Sequence, residues 1–273
     1  METAVSGASD WTERVDTTVA HPARRYDYWL GGKDNFAADR ESGDAIAAAF
    51  PHIRTAVVEN RAFLRRAVRD LVRDHGIRQF LDIGTGIPTS PNVHEIVQGV
   101  APESRVVYVD NDPIVLAHAR ALLTSSPEGA TAYVDADLRE PERILADPAL
   151  RSTVDLSKPV ALILVAVVHF LPDEDDAHGI VRRLVDALAP GSYLVFSHAT
   201  TDGLAPELTA QIQAGRHGPG KLRDRAEFAQ FVGGLELLEP GIVSVAEWRS
   251  AGEPEPRPTF DQVAVWGAVA YKR

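Results

Sequence analysis

The 273-residue chain predicts an α/β fold: five parallel strands plus an antiparallel C-terminal hairpin, with helices on both faces and a helical N-terminal cap. Three observations carry that prediction. Short apolar runs at Gln79–Ile83, Arg105–Val109, Ala132–Val134, Val160–Val168 and Tyr193–Phe196 alternate with helix-like segments, and such alternation gives a parallel sheet covered on both faces. The last two strand-like runs, Ile242–Trp248 and Gln262–Tyr271, have only the Pro-rich loop Gly252–Pro258 between them, so they should pair antiparallel. The residues before Gln79 read as helices without strands.

Each element has a local reason. Residues 1–16 are polar and lack periodicity, so they read as a flexible tail. His21–Gly32 is a short helix seeded near Pro22 and stopped by a glycine pair. Asn35–Phe50 is Ala-rich and helical, ended by Pro51. Arg54–His75 places Val57, Leu64, Val68, Leu71 and Val72 at helical spacing and stops at Gly76. Residues 17–75 thus form the cap, and residues 76–273 the α/β core. Within the core, Gln79–Ile83 enters a Gly-rich turn. Ser90 and Pro91 predict an N-cap and first helical position for a helix over Pro91–Val100. Asp112-Pro113 repeats the signal for a helix to Leu123. A helix around Asp176–Leu188 follows the fourth strand and is closed by Ala189-Pro190-Gly191. Thr201–Gly220 is polar and glycine-rich and reads as a mobile loop, Asp224–Val232 as a helix.

Composition excludes several function classes. Apolar residues are 45% and charged residues 25% of the chain, enough for a sizeable core. The net charge of −11 resides in residues 79–273, where 16 basic side chains face 27 acidic ones. That excess repels phosphate backbones and argues against a nucleic-acid partner. The absence of cysteine removes disulfides, thiolate zinc sites and cysteine nucleophiles. His94-Glu95 lacks the second histidine of a zinc helix, position 98 being Gln, so no metal site is expected. The longest apolar run, Val160–Val168, is far short of the ~18 residues a membrane span needs, and no signal peptide is visible, so a cytoplasmic protein without a membrane partner is expected. Arginine outnumbers lysine 24 to 4, a coding bias of GC-rich bacterial genomes. Nothing in the sequence speaks to oligomeric state.

In open α/β sheets, ligands bind at the carboxyl ends of the strands. That edge receives Asp82-Ile83-Gly84-Thr85-Gly86, then Asp110-Asn111-Asp112, then Asp135-Ala136-Asp137-Leu138, then His169, then Ser197-His198. Gly84 and Gly86 allow close approach of backbone N–H groups to a ligand. Asp110, 24 residues after Gly86, is placed to accept hydrogen bonds from two vicinal ribose hydroxyls. These features read as a site for a ribose-containing cofactor; a tight turn with a helix-capping Asp is the structural alternative. A dinucleotide turn wants a third glycine where Thr89 stands, and the chain has no Tyr-x-x-x-Lys pair. S-adenosyl-L-methionine has no phosphate. It needs an acid before the glycines, a ribose acid and a polar residue at the adenine, and Asp82, Asp110 and Asp137 fit those places.

The segments FLDIGTGIPTSPNVHE, VVYVDNDPIVLAHARALL and DADLREP, with HPARRYDYWLGGKDNF upstream, resemble class I S-adenosylmethionine-dependent methyltransferases. They resemble in particular the actinobacterial S-adenosyl methyltransferase family, formerly a domain of unknown function. The resemblance covers nearly the whole chain after about residue 17. It implies a Rossmann-like class I methyltransferase sheet, transferase activity and S-adenosyl-L-methionine as cofactor. It further implies that Asp82, Gly84, Thr85 and Gly86 belong to the first motif, and that Asp110 is the ribose acid with Asn111 near the adenine. Asp137 and Leu138 would flank the adenine, and Ala166 to His169 would run beneath the methionyl group. The departure is Pro88, where many such enzymes carry a third glycine.

The segment Arg24–Lys33 is dense in aromatics and charge. Tyr26 and Tyr28 either pack on the core or form a lid over the cofactor, a ring facing the sulfonium in a cation–π contact worth roughly 1–2 kcal/mol. His169 and His198 are the histidines expected at the active edge, each a candidate base for an acceptor hydroxyl or amine or else simply bonded to backbone. A sulfonium is already activated, and positioning alone supplies much of the rate. The expected function is methyl transfer to an O or N atom of a small molecule held between the cap, the fourth and fifth strand ends and the 201–220 loop. The competing readings are a non-catalytic binder of the same cofactor and a nicotinamide-dependent oxidoreductase.

Overall fold

The computed structural model describes residues 15–122, 124–213 and 220–273. The expected tail lies outside the described residues but for its last two, as do Leu123 and positions 214–219 of the expected loop. Three helices precede the first strand: α1 (Pro22–Trp29), α2 (Ala37–Ala49) and α3 (Ile53–Arg73). Strands and helices then alternate: β1 (Gln79–Ile83), α4 (Val93–Gln98), β2 (Arg105–Asp110), α5 (Pro113–Leu122), β3 (Ala130–Asp135), α6 (Pro141–Ala146), α7 (Pro148–Thr153), β4 (Ala161–Val165), α8 (Ala177–Asp186) and β5 (Tyr193–Ala199). The chain finishes with α9 (Pro206–Gln213), α10 (Arg225–Phe231), β6 (Glu236–Leu237), β7 (Val243–Ser244), α11 (Phe260–Val263) and β8 (Val265–Tyr271).

The sheet runs β3-β2-β1-β4-β5-β8-β6, with β7 also on β8. Strands β1 to β5 are parallel, and β8 lies antiparallel to β5, from Tyr193 opposite Tyr271 to Ala199 opposite Val265. The predicted class and its antiparallel C-terminal end are what the sheet has. The hairpin differs in detail. Its first arm is only Val243–Ser244, because the chain then turns to bury Val245, Ala246 and Trp248 against α3, with Trp248 edge-on to Phe63 at 5.5 Å. Strand β6, not read from the sequence, pairs with Ala270 and Tyr271.

Both faces of the sheet are covered, as the near-continuous burial of β1, β2, β4 and β5 demands. On one face Phe80, Val106, Ile163 and Val195 pack against Phe63, Ala67 and Leu71 of α3 and Val93 and Val97 of α4. On the other, Leu81, Val107, Leu162 and Leu194 pack against Ile144, Leu150, Ile180, Leu184 and Phe228 from α6, α7, α8 and α10. Helix α3 is therefore part of the sheet's own packing, while α1 and α2 lean on α3 and on each other.

Some boundaries move for identifiable reasons. Helix α4 starts at Val93 because Asn92 is the N-cap and its N–H is held by the Glu95 carboxylate, leaving Ser90 and Pro91 outside. Helices α6 and α7 were not expected; each opens with a proline, and Asp147 caps α7 by accepting from the Ala149 N–H at 2.7 Å. The expected 201–220 loop contains α9. Among the described residues no helix is long and apolar enough to cross a membrane. Strand order reverses between β1 and β4, which opens a crevice outside the carboxyl ends of those two strands.

Candidate functional site

The crevice starts at the turn after β1. Gly84 and Gly86 have φ of 74° and 69°, where a Cβ is strained. A Cβ at Gly84 would also overlap the Val167 side chain, whereas Gly86 faces open space. The turn is tied to the end of β2. Gly84 N–H donates to the Val109 carbonyl at 2.8 Å, and Gly86 N–H donates to Asp110 Oδ2 at 2.9 Å. The other Asp110 oxygen accepts from the Asp112 N–H at 3.0 Å. Burial pushes the Asp110 carboxyl up, and those two N–H groups restrain the rise. Asp82, also buried, accepts from the Thr85 hydroxyl at 3.0 Å. Burial pushes it up to about 6 despite that hydroxyl and the nearby Arg61 charge.

Next along the edge, Asn111 donates to Asp137 Oδ2 at 2.8 Å, and Arg139 holds the same carboxylate through its backbone N–H and its guanidinium. Asp112 lies deeper. Burial alone would raise it, but His21 Nδ1 at 3.0 Å, Arg24 Nε at 2.9 Å and the Ile114 N–H bring it down to about 2. This buried ion pair fastens α1 to the carboxyl end of β2.

Together these residues enclose a cleft of about 290 Å³, with Ile87 and Leu138 as apolar walls and Tyr26, Arg61 and Ala166 at the far side. Four carboxylates, Asp27, Asp82, Asp110 and Asp137, line it. That lining repels a pyrophosphate. It suits a ligand with a diol, cationic centres and one carboxylate, the last of which Arg61 can meet. S-adenosyl-L-methionine has that set of groups, and the open face of Gly86 leaves room for it.

A second cavity of about 200 Å³ adjoins the first along Pro22, Tyr26, Asn60, Ala166 and Phe170. It lies between α1, α2, the 3₁₀ turn Val168–Phe170 after β4, the end of β5 and α9. Its walls are mostly apolar, with Arg25 and His169 among them. One hydrogen-bond chain pins the boundary between the two cavities. The Ala166 N–H donates to Ser197 Oγ at 3.0 Å, Ser197 donates to Asn60 Oδ1 at 2.7 Å, Asn60 Nδ2 donates to Tyr26 Oη at 3.1 Å, and Tyr26 donates to the Val57 carbonyl at 3.0 Å. Ala166 itself has φ of 55°, a left-handed conformation that costs a non-glycine residue about 1–2 kcal/mol and that clusters at ligand sites.

The structure brings Tyr26, Asp82, Gly84, Thr85, Gly86, Asp110, Asn111, Asp137, Leu138 and Ala166 to the first cleft. His169 lines the second cavity instead, with its Nδ1 buried and without a hydrogen-bond partner. Burial and the Arg25 and Arg223 charges hold its imidazole down to about 3. Two expectations need correction. Tyr28 reaches neither cavity: its hydroxyl donates to Asp44 at 2.8 Å and its ring lies under Arg54, because Tyr26 already occupies the inner face of α1. His198 is not placed to act as a base. Strand β5 runs on to Ala199, which turns Ser197 toward α3 and His198 toward α10. There His198 Nδ1 donates to the Ala199 carbonyl at 2.7 Å and Nε2 accepts from Arg223 at 3.1 Å, so both ring nitrogens are used. The sequence reading missed Asn60, Ser197 as a link, His21, and the roles of Arg24, Arg25 and Arg61. Arg24 and Arg25 sit within a segment already marked by its composition; Asn60, inside an amphipathic helix, carries no signal.

The model of the S-adenosyl methyltransferase family matches residues 8–273. A DUF574 family protein from Streptomyces avermitilis superimposes with a TM-score of 0.88 at 52% identity, over 94% of this chain and 99% of that one. A protein from Thermobifida fusca, named provisionally as a methyltransferase, does so with a TM-score of 0.85 at 38% identity, over 99% and 100% of the two chains. Magnesium protoporphyrin IX methyltransferase from Synechocystis, with bound S-adenosylhomocysteine, shares the fold at 14% identity and a TM-score of 0.50, over 91% and 93%. No curated protein matches the chain.

Proposed function

The chain belongs to the S-adenosyl methyltransferase family and depends on S-adenosyl-L-methionine; from that premise we propose that it methylates an O or N atom of a small molecule seated in the second cavity. The observation that carries this reading is the shared boundary. A cleft suited to the cofactor and an apolar cavity of small-molecule size meet at Tyr26, Asn60, Ala166 and Phe170.

S-adenosyl-L-methionine supplies an electrophilic methyl group on a sulfonium. Asp110 would hold the ribose diol, and Asp82 and Arg61 the ends of the amino acid. Ile87 and Leu138 would contact the adenine face, with Asn111 and Asp137 at its polar edge. Tyr26, fixed by Asn60 and Val57, would present its ring to the sulfonium and exclude water from the junction. The protein's main contribution is orientation for in-line attack. His169 is neutral at physiological pH, so its buried Nδ1 would orient an acceptor by a hydrogen bond, while the burial and arginine charges that hold it down disfavour its taking up a proton. The acidic surplus of residues 79–273 disfavours a nucleic-acid acceptor.

The test fills the second cavity. Ile46→Trp is expected to abolish transfer of labelled methyl from S-adenosyl-L-methionine into a low-molecular-weight metabolite fraction, while calorimetric binding of S-adenosylhomocysteine stays within about threefold of wild type. Transfer that survives the filled cavity, or that goes to RNA or protein in parallel incubations, would defeat the proposal.

A further inference from the structure

We infer that the acceptor carries a carboxylate on an apolar body, and that Arg25 binds that carboxylate inside the second cavity. The inference rests on the methyltransferase reading of the two cavities and specifies what the second one selects.

Arg25 is only 8% exposed. Among the described residues it makes one side-chain hydrogen bond, from Nη1 to the Ser42 hydroxyl at 3.0 Å, and no ion pair. Its Nε is fully buried with no partner. The acid that offsets its charge from a distance, Asp39, is already held by the backbone N–H groups of His21 and Phe36, both at 2.8 Å. A buried guanidinium without a counter-ion is among the most unfavourable arrangements a fold can keep. The other buried arginine of α1 shows the ordinary solution: Arg24 pairs with Asp112.

The position of the orphan charge gives its use. Arg25 is the one charged side chain among the described residues that line the second cavity. Around it stand Ile46, Phe50, Leu208, Ile212 and Val263, which favour a hydrophobic body. With Nη1 committed to Ser42, the edge that remains is Nε with Nη2. That edge presents two parallel N–H donors, the geometry that matches the two oxygens of a carboxylate. Burial lowers the Arg25 pKa without discharging it, and a bound carboxylate would restore the missing partner. The unpartnered Nδ1 of His169 in the same cavity is a separate hydrogen-bonding group that an acceptor can fill.

The probe pair is 2-naphthoate and its uncharged analogue 2-naphthamide, titrated calorimetrically into the full chain with and without saturating S-adenosylhomocysteine. Wild type is expected to bind the carboxylate about 10- to 100-fold more tightly than the amide, the range that charge-assisted hydrogen bonds provide. Arg25→Gln is expected to abolish the preference. Arg25→Lys is expected to keep only part of it, because an ammonium cannot make the paired contact. Equal binding of the two probes to wild type, failure of the carboxylate to bind, or a preference that survives in Arg25→Gln would overturn the inference. The wild-type comparison needs no variant to fold. S-adenosylhomocysteine titrated alone separates the two levels: if it binds while the naphthoate preference is absent, the carboxylate fails and the methyltransferase reading stands. If it does not bind, the cofactor site fails, and the naphthoate titration without it still reports on Arg25.

Discussion

The cofactor cleft and the second cavity share Tyr26, Asn60, Ala166 and Phe170, but they satisfy their polar groups in opposite ways. In the cleft each lining carboxylate has a partner within the chain: Asn35 and the Asp34 N–H for Asp27, Thr85 for Asp82, Gly86 and Asp112 N–H groups for Asp110, Asn111 and Arg139 for Asp137. In the cavity Arg25 Nε and His169 Nδ1, both buried, lack theirs, and Arg25 has no counter-ion. On the proposed reading the cleft is organised before its ligand arrives, while the cavity would be completed by the acceptor. Such a division suits an enzyme whose cofactor is constant and whose acceptor must be selected.

The largest break in that comparison should come from Asp110→Ala. It removes the one carboxylate placed for a vicinal diol and leaves the Gly86 and Asp112 N–H groups without their acceptor. Two charge-assisted hydrogen bonds of about 1.5–3 kcal/mol each predict at least ~100-fold weaker binding of S-adenosylhomocysteine by calorimetry, with 2-naphthoate binding to the apo protein little changed.

Asp82 sharpens the comparison from the side of stability. Its folded carboxyl titrates at about 6 against an ordinary 3.8, so between those values the folded state holds a proton that the unfolded state has lost. Asp82 therefore contributes stability that rises as pH falls from about 6 to about 4, while buried His169, held down to about 3, opposes it over the same range, so the Asp82 contribution is read as the difference between wild type and Asp82→Asn. Holding Asp82 ionised at pH 7 costs ~3 kcal/mol, and Asp82→Asn should recover about 1–3 kcal/mol of it, make stability fall more steeply toward acid in that window and weaken cofactor binding. Urea midpoints across pH 4 to 8 read all but the last. Below pH 3.8 Asp112, held at about 2 by His21 and Arg24, adds a further loss of stability as it protonates. A difference between the wild-type and Asp82→Asn midpoints that does not change from pH 4 to 6 would contradict the assigned burial of Asp82.

The smallest effect belongs to Tyr28→Phe. The hydroxyl meets Asp44 at an exposed site, so the change should leave the urea midpoint and both binding isotherms unmoved. A marked loss of cofactor affinity would return Tyr28 to the site.

These outcomes also mark what the sequence could and could not disclose. A parallel sheet delivers the ends of successive strands to one edge, so the glycine turn, Asp110 and Asp137 are legible from strand order alone. The position of Tyr26 against Tyr28 is a question of helical phase. It is settled by α2 and α3, which supply Asp44, Arg54 and Asn60 from elsewhere in the chain. His198 was misplaced because a strand extended by three residues decides which neighbour faces α3 and which faces α10. The second cavity draws on α1, α2, α9 and the approach to β8, and no local pattern announces that those segments meet.

The hydrogen-bond chain from Ala166 through Ser197 and Asn60 to Tyr26 is confined to β4, β5, α3 and α1. The far wall of the second cavity, with Ile46 and Phe50 on one side and Leu208 and Ile212 on the other, takes no part in it. Mutational drift can therefore resize that wall while the alignment of the reacting groups is inherited intact. Substitutions that reshape this wall without filling it should change which acceptor fits while the hydrogen-bond chain stays in place, whereas one that fills it, such as Ile46→Trp, should abolish transfer.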